Sequence, residues 1–141
     1  MNNQTKMKTL KTICWIGAAA DALWSVALVC PSLYGMLTGR PQLQTDLSLR
    51  LAMGVGASLM TGWTLLLAWT AKSPVERKAV LLLTAFPVLF GLIIVTATGL
   101  INGNTATTWI LVKCTLLTVA MLAGYHIANS ISKESAYAVT H

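Results

Sequence analysis

The chain has 141 residues, 55% of them hydrophobic and only 10% charged, with a mean hydropathy of +0.68. An ordinary soluble domain carries about 25% charged residues, so this composition excludes a water-soluble enzyme domain and predicts one membrane-embedded domain over residues 1–141. The net charge of +6 does not signal nucleic acid: most of the basic residues (Lys6, Lys8, Lys11, Lys72, Arg77, Lys78 and Lys133) gather at one expected membrane face, and no basic groove with interleaved aromatics appears.

Four apolar stretches predict spans over about 12–34, 49–70, 79–100 and 108–129, each long enough to cross ~30 Å of hydrocarbon. The first starts after a basic segment. Ala20-Asp21-Ala22 has the form of a signal-peptide cleavage site, but the apolar core before it is short and the run resumes at Leu23, so the segment reads as a span. Pro31 is expected to bend it, and Gly39-Arg40-Pro41 to stop it. Asp46 is placed to cap the second span, four residues before Arg50. Ser73-Pro74-Val75-Glu76 has the form of a capping box with Pro at the first helical position, which predicts that the third helix starts at Pro74. Pro87 is expected to kink that helix. Asn102-Gly103-Asn104-Thr105 predicts a short turn before the fourth span.

Basic residues fall before the first span, between the second and third, and after the fourth. Both termini are therefore expected on the cytoplasmic side. The fold class follows: an all-α integral membrane four-helix up-down bundle. Its helices should pack through small residues: Gly17, Asp21 and Ser25 on the first, Gly54, Ser58 and Gly62 on the second, Ala120 and Gly124 on the fourth. A homodimer through Gly54 and Ser58 is the alternative use of the second set.

Asp21 dominates the functional reading. It lies about 14 Å from the inner face at 1.5 Å per residue. A charge at mid-bilayer costs at least ~2.5–3.5 kcal/mol, so it normally has a partner or a purpose. Three readings stay open. Asp21 pairs with Lys113, about 6–10 Å below the outer face, or with the shallower Arg50, or it stays protonated and bonds Ser25 or Trp24. Alternatively it anchors a pocket for a hydrophobic small molecule walled by Trp24, Trp63 and Phe86. In the third reading it binds and releases a proton or cation in a small carrier.

Other chemistry finds little support. The histidines are His126, near the inner end of the fourth span, and His141, the last residue, so neither a zinc set nor bis-histidine haem is expected. Cys14, Cys30 and Cys114 form no C-x-x-C and read as small apolar residues. No catalytic residue, metal ligand or cofactor is assigned, and enzymatic activity is not expected.

Met53-Gly54-Val55-Gly56-Ala57-Ser58, then Gly62-Trp63, then Ser73-Pro74-Val75-Glu76-Arg77-Lys78, resembles a group of small bacterial four-helix membrane proteins without assigned function. The layout also resembles the DoxX-like class of four-span proteins, some of which accompany quinone-linked oxidoreductases. No functional residue of that class maps onto a position here. The resemblance implies a bacterial inner membrane and an accessory role beside a partner membrane subunit, with a quinone-linked redox subunit as a further reading.

Overall fold

The computed structural model describes residues 3–39, 44, 46–103 and 107–139, with side chains as far as Glu134. Arg40, Pro41, Asn104, Thr105, Ala106 and His141 lie outside the described residues; of the expected stop only Gly39, left-handed at φ 72°, is described, and of the 102–105 turn only Asn102 and Gly103. The elements are α1 (Asn3–Val29), α2 (Pro31–Leu37), α3 (Leu47–Thr70), α4 (Lys78–Leu83), a π-helical turn (Thr84–Leu89), α5 (Phe90–Ile101) and α6 (Thr107–Val139). No strand occurs among the described residues. Four stretches, Asn3–Val29, Leu47–Thr70, Lys78–Ile101 and Thr107–Glu134, are long and apolar enough to cross a membrane. Large apolar side chains such as Leu23, Leu59, Val95 and Leu116 are exposed along them. That is the surface expected of helices solvated by lipid.

Local chemistry sets the breaks. Proline has no N–H and pushes the residue before it out of the helical region. Cys30 is accordingly extended (φ −108°, ψ 97°), and Pro31 opens α2. Asp46 caps α3 by accepting from the Leu49 N–H at 2.8 Å. Pro87 sits inside the π-helical turn, where the wider winding accommodates its ring and missing donor. Gly103 takes the left-handed conformation (φ 82°) that closes α5.

Two expectations need correction. The capping box at Ser73 does not form. Residues 74–77 are turns, the Arg77 N–H donates to the Ser73 carbonyl at 3.2 Å, and α4 begins at Lys78. Arg77 instead folds back onto Trp69, stacking on its ring and donating to its carbonyl. Helix α1 begins at Asn3 and α6 runs to Val139, so both continue past the stretches expected to span. The extensions hold each other: Lys6 pairs with Glu134 at 2.6 Å, and Leu10 is fully buried. Second, Gly54, Ser58 and Gly62 do not pack inside the bundle. They are exposed, and a Cβ at Gly54 or Gly62 would meet nothing within 4 Å. The buried face of α3 is Met53, Ala57, Leu67 and Thr70.

The other small-residue positions do pack. Gly17 is buried against Met121 of α6 and Leu67 of α3, and Gly124 lies beneath Leu10 and Ile13. Leu10, Cys14 and Ala18 of α1 join Leu67, Leu81, Ala85, Met121 and Ala128 in one core. Helix α1 packs on α3 and α6, and α6 packs on α4, the π-helical turn and α5.

Candidate functional site

The site is built around Asp21. Contacts between α1 and α3 run in opposite order along the two helices: Gly17 faces Leu67, Ser25 faces Ala57 and Thr61, and Leu28 faces Gly56. This register sets Asp21 level with Trp63. Against α6, where Gly17 meets Met121, the next turn brings Asp21 level with Leu117. Both Trp63 and Leu117 are half-buried and pack on the core.

Asp21 is 7% exposed, and its Oδ2 is buried with no hydrogen-bond partner. Around it the other polar groups satisfy one another. Ser25 Oγ donates to the Ala57 carbonyl at 3.1 Å and lies 2.6 Å from Thr61 Oγ1. The Thr61 hydroxyl donates to that same carbonyl at 2.8 Å. The Trp63 indole N–H donates to Thr84 Oγ1 at 2.9 Å, and Thr84 donates to the Val80 carbonyl at 2.8 Å. Thr84 is the first residue of the π-helical turn. The indole thus ties the level of Asp21 to the interrupted helix.

The candidate partners of Asp21 lie elsewhere. Lys113 is exposed, with Nζ 4.7 Å from the centroid of the Trp109 ring, so the Asp21–Lys113 pair is not formed. The cause is angular: its neighbour Cys114 takes the buried direction on α6, and a residue one step away points about 100° aside. Arg50, in the first turn of α3, stands about 20 Å along that helix from Trp63 at 1.5 Å per residue, out of reach of Asp21. Ser25 turns to α3 rather than to Asp21. Trp24 is half-buried and meets Tyr34 edge-on, ring centroids 6.4 Å apart. Phe86 is 70% exposed and stacked on Phe90, so it walls no interior pocket. Of the three expected aromatic walls, Trp63 alone is both level with Asp21 and bonded to the opposite helix.

Nothing in the composition or helical spacing singles out Thr84 and Thr61. A threonine three residues before Pro87 is the usable signal for the first, since such a hydroxyl can serve a neighbouring helix where the chain is interrupted. The second is hidden because threonine in an apolar helix usually bonds its own preceding turn.

The arrangement offers one carboxyl group with an unpartnered oxygen in an apolar, water-poor layer. That group can hold a proton, or accept from an N–H, an O–H or a cationic nitrogen. Among the described residues no three His, Cys, Asp or Glu side chains gather as a metal set. All three cysteines are free, Cys14 and Cys114 buried and Cys30 exposed. No protein family, curated protein or solved structure matches the chain.

Proposed function

We propose that the chain is an up-down-up-down four-span bundle of a bacterial inner membrane, with both termini cytoplasmic, acting as a non-enzymatic accessory protein that binds a hydrophobic small molecule at Asp21. One observation carries the binding assignment: Asp21 is buried, yet its Oδ2 has no partner, while Ser25, Thr61, Trp63 and Thr84 around it are all hydrogen-bonded. An unsatisfied buried oxygen costs about 1–3 kcal/mol. Retaining it in a bundle core makes sense if a ligand's donor completes it. The ligand class is an apolar molecule carrying one hydrogen-bond donor or one cationic nitrogen.

The orientation is supported by charge. Lys6 pairs with Glu134, Lys78 bonds Asn129, and Lys11 and Lys72 line one groove, so these basic residues share one end of the bundle. That end is the cytoplasmic one under the positive-inside rule. The outward ridge Gly54-Ser58-Gly62 is the surface on which a partner subunit or a second copy of the chain would pack.

Native mass spectrometry of gently solubilised protein tests the binding assignment, wild type beside Asp21→Asn. A discrete bound mass present in the first and absent in the second is expected. Identical masses in both would overturn it. The mass also tests kinship with quinone-linked proteins, since that reading requires the adduct to be a quinone.

A second reading, a proton- or cation-coupled carrier, has its own support. The π-helical turn at Pro87 interrupts the third span at the level tied to Asp21 through Trp63, and carriers place interrupted helices beside their coupling residue. It predicts that Asp21→Asn abolishes flux in proteoliposomes while the protein stays folded.

A further inference from the structure

A second, unrelated feature lies at the basic end. A groove of about 480 Å³ runs between α1 and the last two turns of α3. Its apolar lining is Leu65, Ala68 and Ala71 together with the indoles of Trp15 and Trp69. Lys11 comes from α1 and Lys72 from just beyond α3, and both reach the same end of it. From Leu65 to Lys72 the groove is about 10 Å deep at 1.5 Å per residue. It is apolar at one end and dicationic at the other.

The charge is uncompensated. Lys6 is held by Glu134, Lys78 by Asn129, and Arg77 by Trp69. Lys11 and Lys72 have no hydrogen bond or ion pair among the described residues, and no acidic side chain lines the groove. Arg77 adds a third positive charge beside the groove: its guanidinium carbon lies 3.6 Å from the centroid of the Trp69 ring. Trp15 is 60% and Trp69 49% exposed, and exposed indoles of this kind sit at the headgroup level of a bilayer.

We propose that this groove is a binding site for one anionic phospholipid, with the headgroup phosphate between Lys11 and Lys72 and an acyl chain along Leu65 and Ala68 between the two indoles. A zwitterionic lipid fits the apolar slot equally well but brings a compensating cation to the two lysines. The slot's two alanines give the chain room, and the paired lysines select the headgroup. The site rests on the basic end lying at a membrane surface. It is independent of any ligand at Asp21.

The test uses full-length protein in phosphatidylcholine vesicles containing rising fractions of dibrominated lipid, which quenches tryptophan on contact. Trp15 and Trp69 report the groove; the other tryptophans give a background common to all samples. Each lysine near a membrane surface contributes about fivefold in lipid preference, so the pair gives about 25-fold for phosphatidylglycerol over phosphatidylcholine. The Lys11→Gln/Lys72→Gln double variant is expected to bring that ratio near one. Lys8→Gln/Lys133→Gln removes the same charge from exposed positions that do not line the groove, and is expected to leave the ratio within about twofold of wild type. Equal loss in both double variants would overturn the site in favour of a diffuse surface field. Reversal of the quenching by millimolar inorganic phosphate would overturn the lipid as occupant. All four substitutions replace exposed side chains, so folding is retained.

Discussion

Replacing Asp21 by alanine should leave the protein as stable as wild type or make it more stable, against the usual sign for a buried position. The substitution removes the unpartnered Oδ2, which returns about 1–3 kcal/mol. It also removes a few packed atoms from a site that is 7% exposed, and a void of that size costs about 1 kcal/mol. No hydrogen bond is lost, since Ser25, Thr61, Trp63 and Thr84 are bonded to one another or to carbonyls. The net expectation is a gain of about 0–2 kcal/mol. Reversible unfolding from mild detergent into dodecyl sulfate, followed by tryptophan fluorescence, measures it. The protein must first be exchanged extensively into one pure detergent, because a ligand bound only to the folded wild type raises its apparent stability and masks the gain. A loss of more than about 2 kcal/mol in stripped protein would show that the carboxyl has a stabilising partner in the fold, and the argument for a ligand at Asp21 would go with it. The gain, together with loss of a bound mass in Asp21→Asn, is the stability–function exchange expected of a binding residue.

The remaining expectations rest on other contacts. Gly→Ala should have opposite signs at different glycines. At Gly54 and Gly62 a Cβ meets open space, so each change should stabilise by about 0.5–1 kcal/mol; at Gly17 it collides with Met121 and crowds Leu67, so it should destabilise by about 1–3 kcal/mol, all read in the same unfolding assay. Trp63→Phe should cost about 0.5–1.5 kcal/mol beyond lost packing, and a double-mutant cycle with Thr84→Val should return that amount as coupling; a coupling near zero would mean the indole bond contributes nothing. Breaking the Lys6–Glu134 pair with Glu134→Gln should lower stability only slightly and the loss should fade in high salt, because the pair is open to solvent at Glu134; a loss that persists at 1 M salt would count against a simple surface pair.

Much of the fold is legible because its signals are local. Four apolar runs, the Asp46 cap, the break before Pro31 and the interruption at Pro87 each depend on a few neighbouring residues, and each appears where the sequence places it. What fails is rotation about the helix axes. In a soluble helix the polar face betrays the buried one, but in lipid both faces are apolar and periodicity carries little information. Gly54, Ser58 and Gly62 therefore read as an interior ridge, while the structure buries Met53 and Ala57 beside them. Lys113 misleads for the same reason: its depth is readable, its direction is not. The capping box at Ser73 is overridden by a tertiary contact, Arg77 on Trp69, that no four-residue pattern contains. Asp21 stands out by composition alone, yet its isolation from every candidate partner is visible only in three dimensions.

The level of Asp21 is also where the bundle changes character. Towards the basic end, α1, α3, α4 and α6 share one continuous core through Leu10, Leu67, Leu81, Met121 and Ala128. Towards the other end the packing is pairwise: Ser25 and Leu28 of α1 meet α3, and Gly99 of α5 meets Thr107 of α6. Helices α3 and α5 share no extensive packing among the described residues. The Trp63–Thr84 bond thus joins the third span to α3 at the upper limit of the shared core. A single orphaned carboxyl is tolerable there because the well-packed half carries the stability. The other half is held by pairs of helices, and the π-helical turn at Pro87 stands between the two. Among the described residues Asp21 Oδ2 is the buried side-chain oxygen left without a partner, and a ligand completing it would touch both halves at that junction.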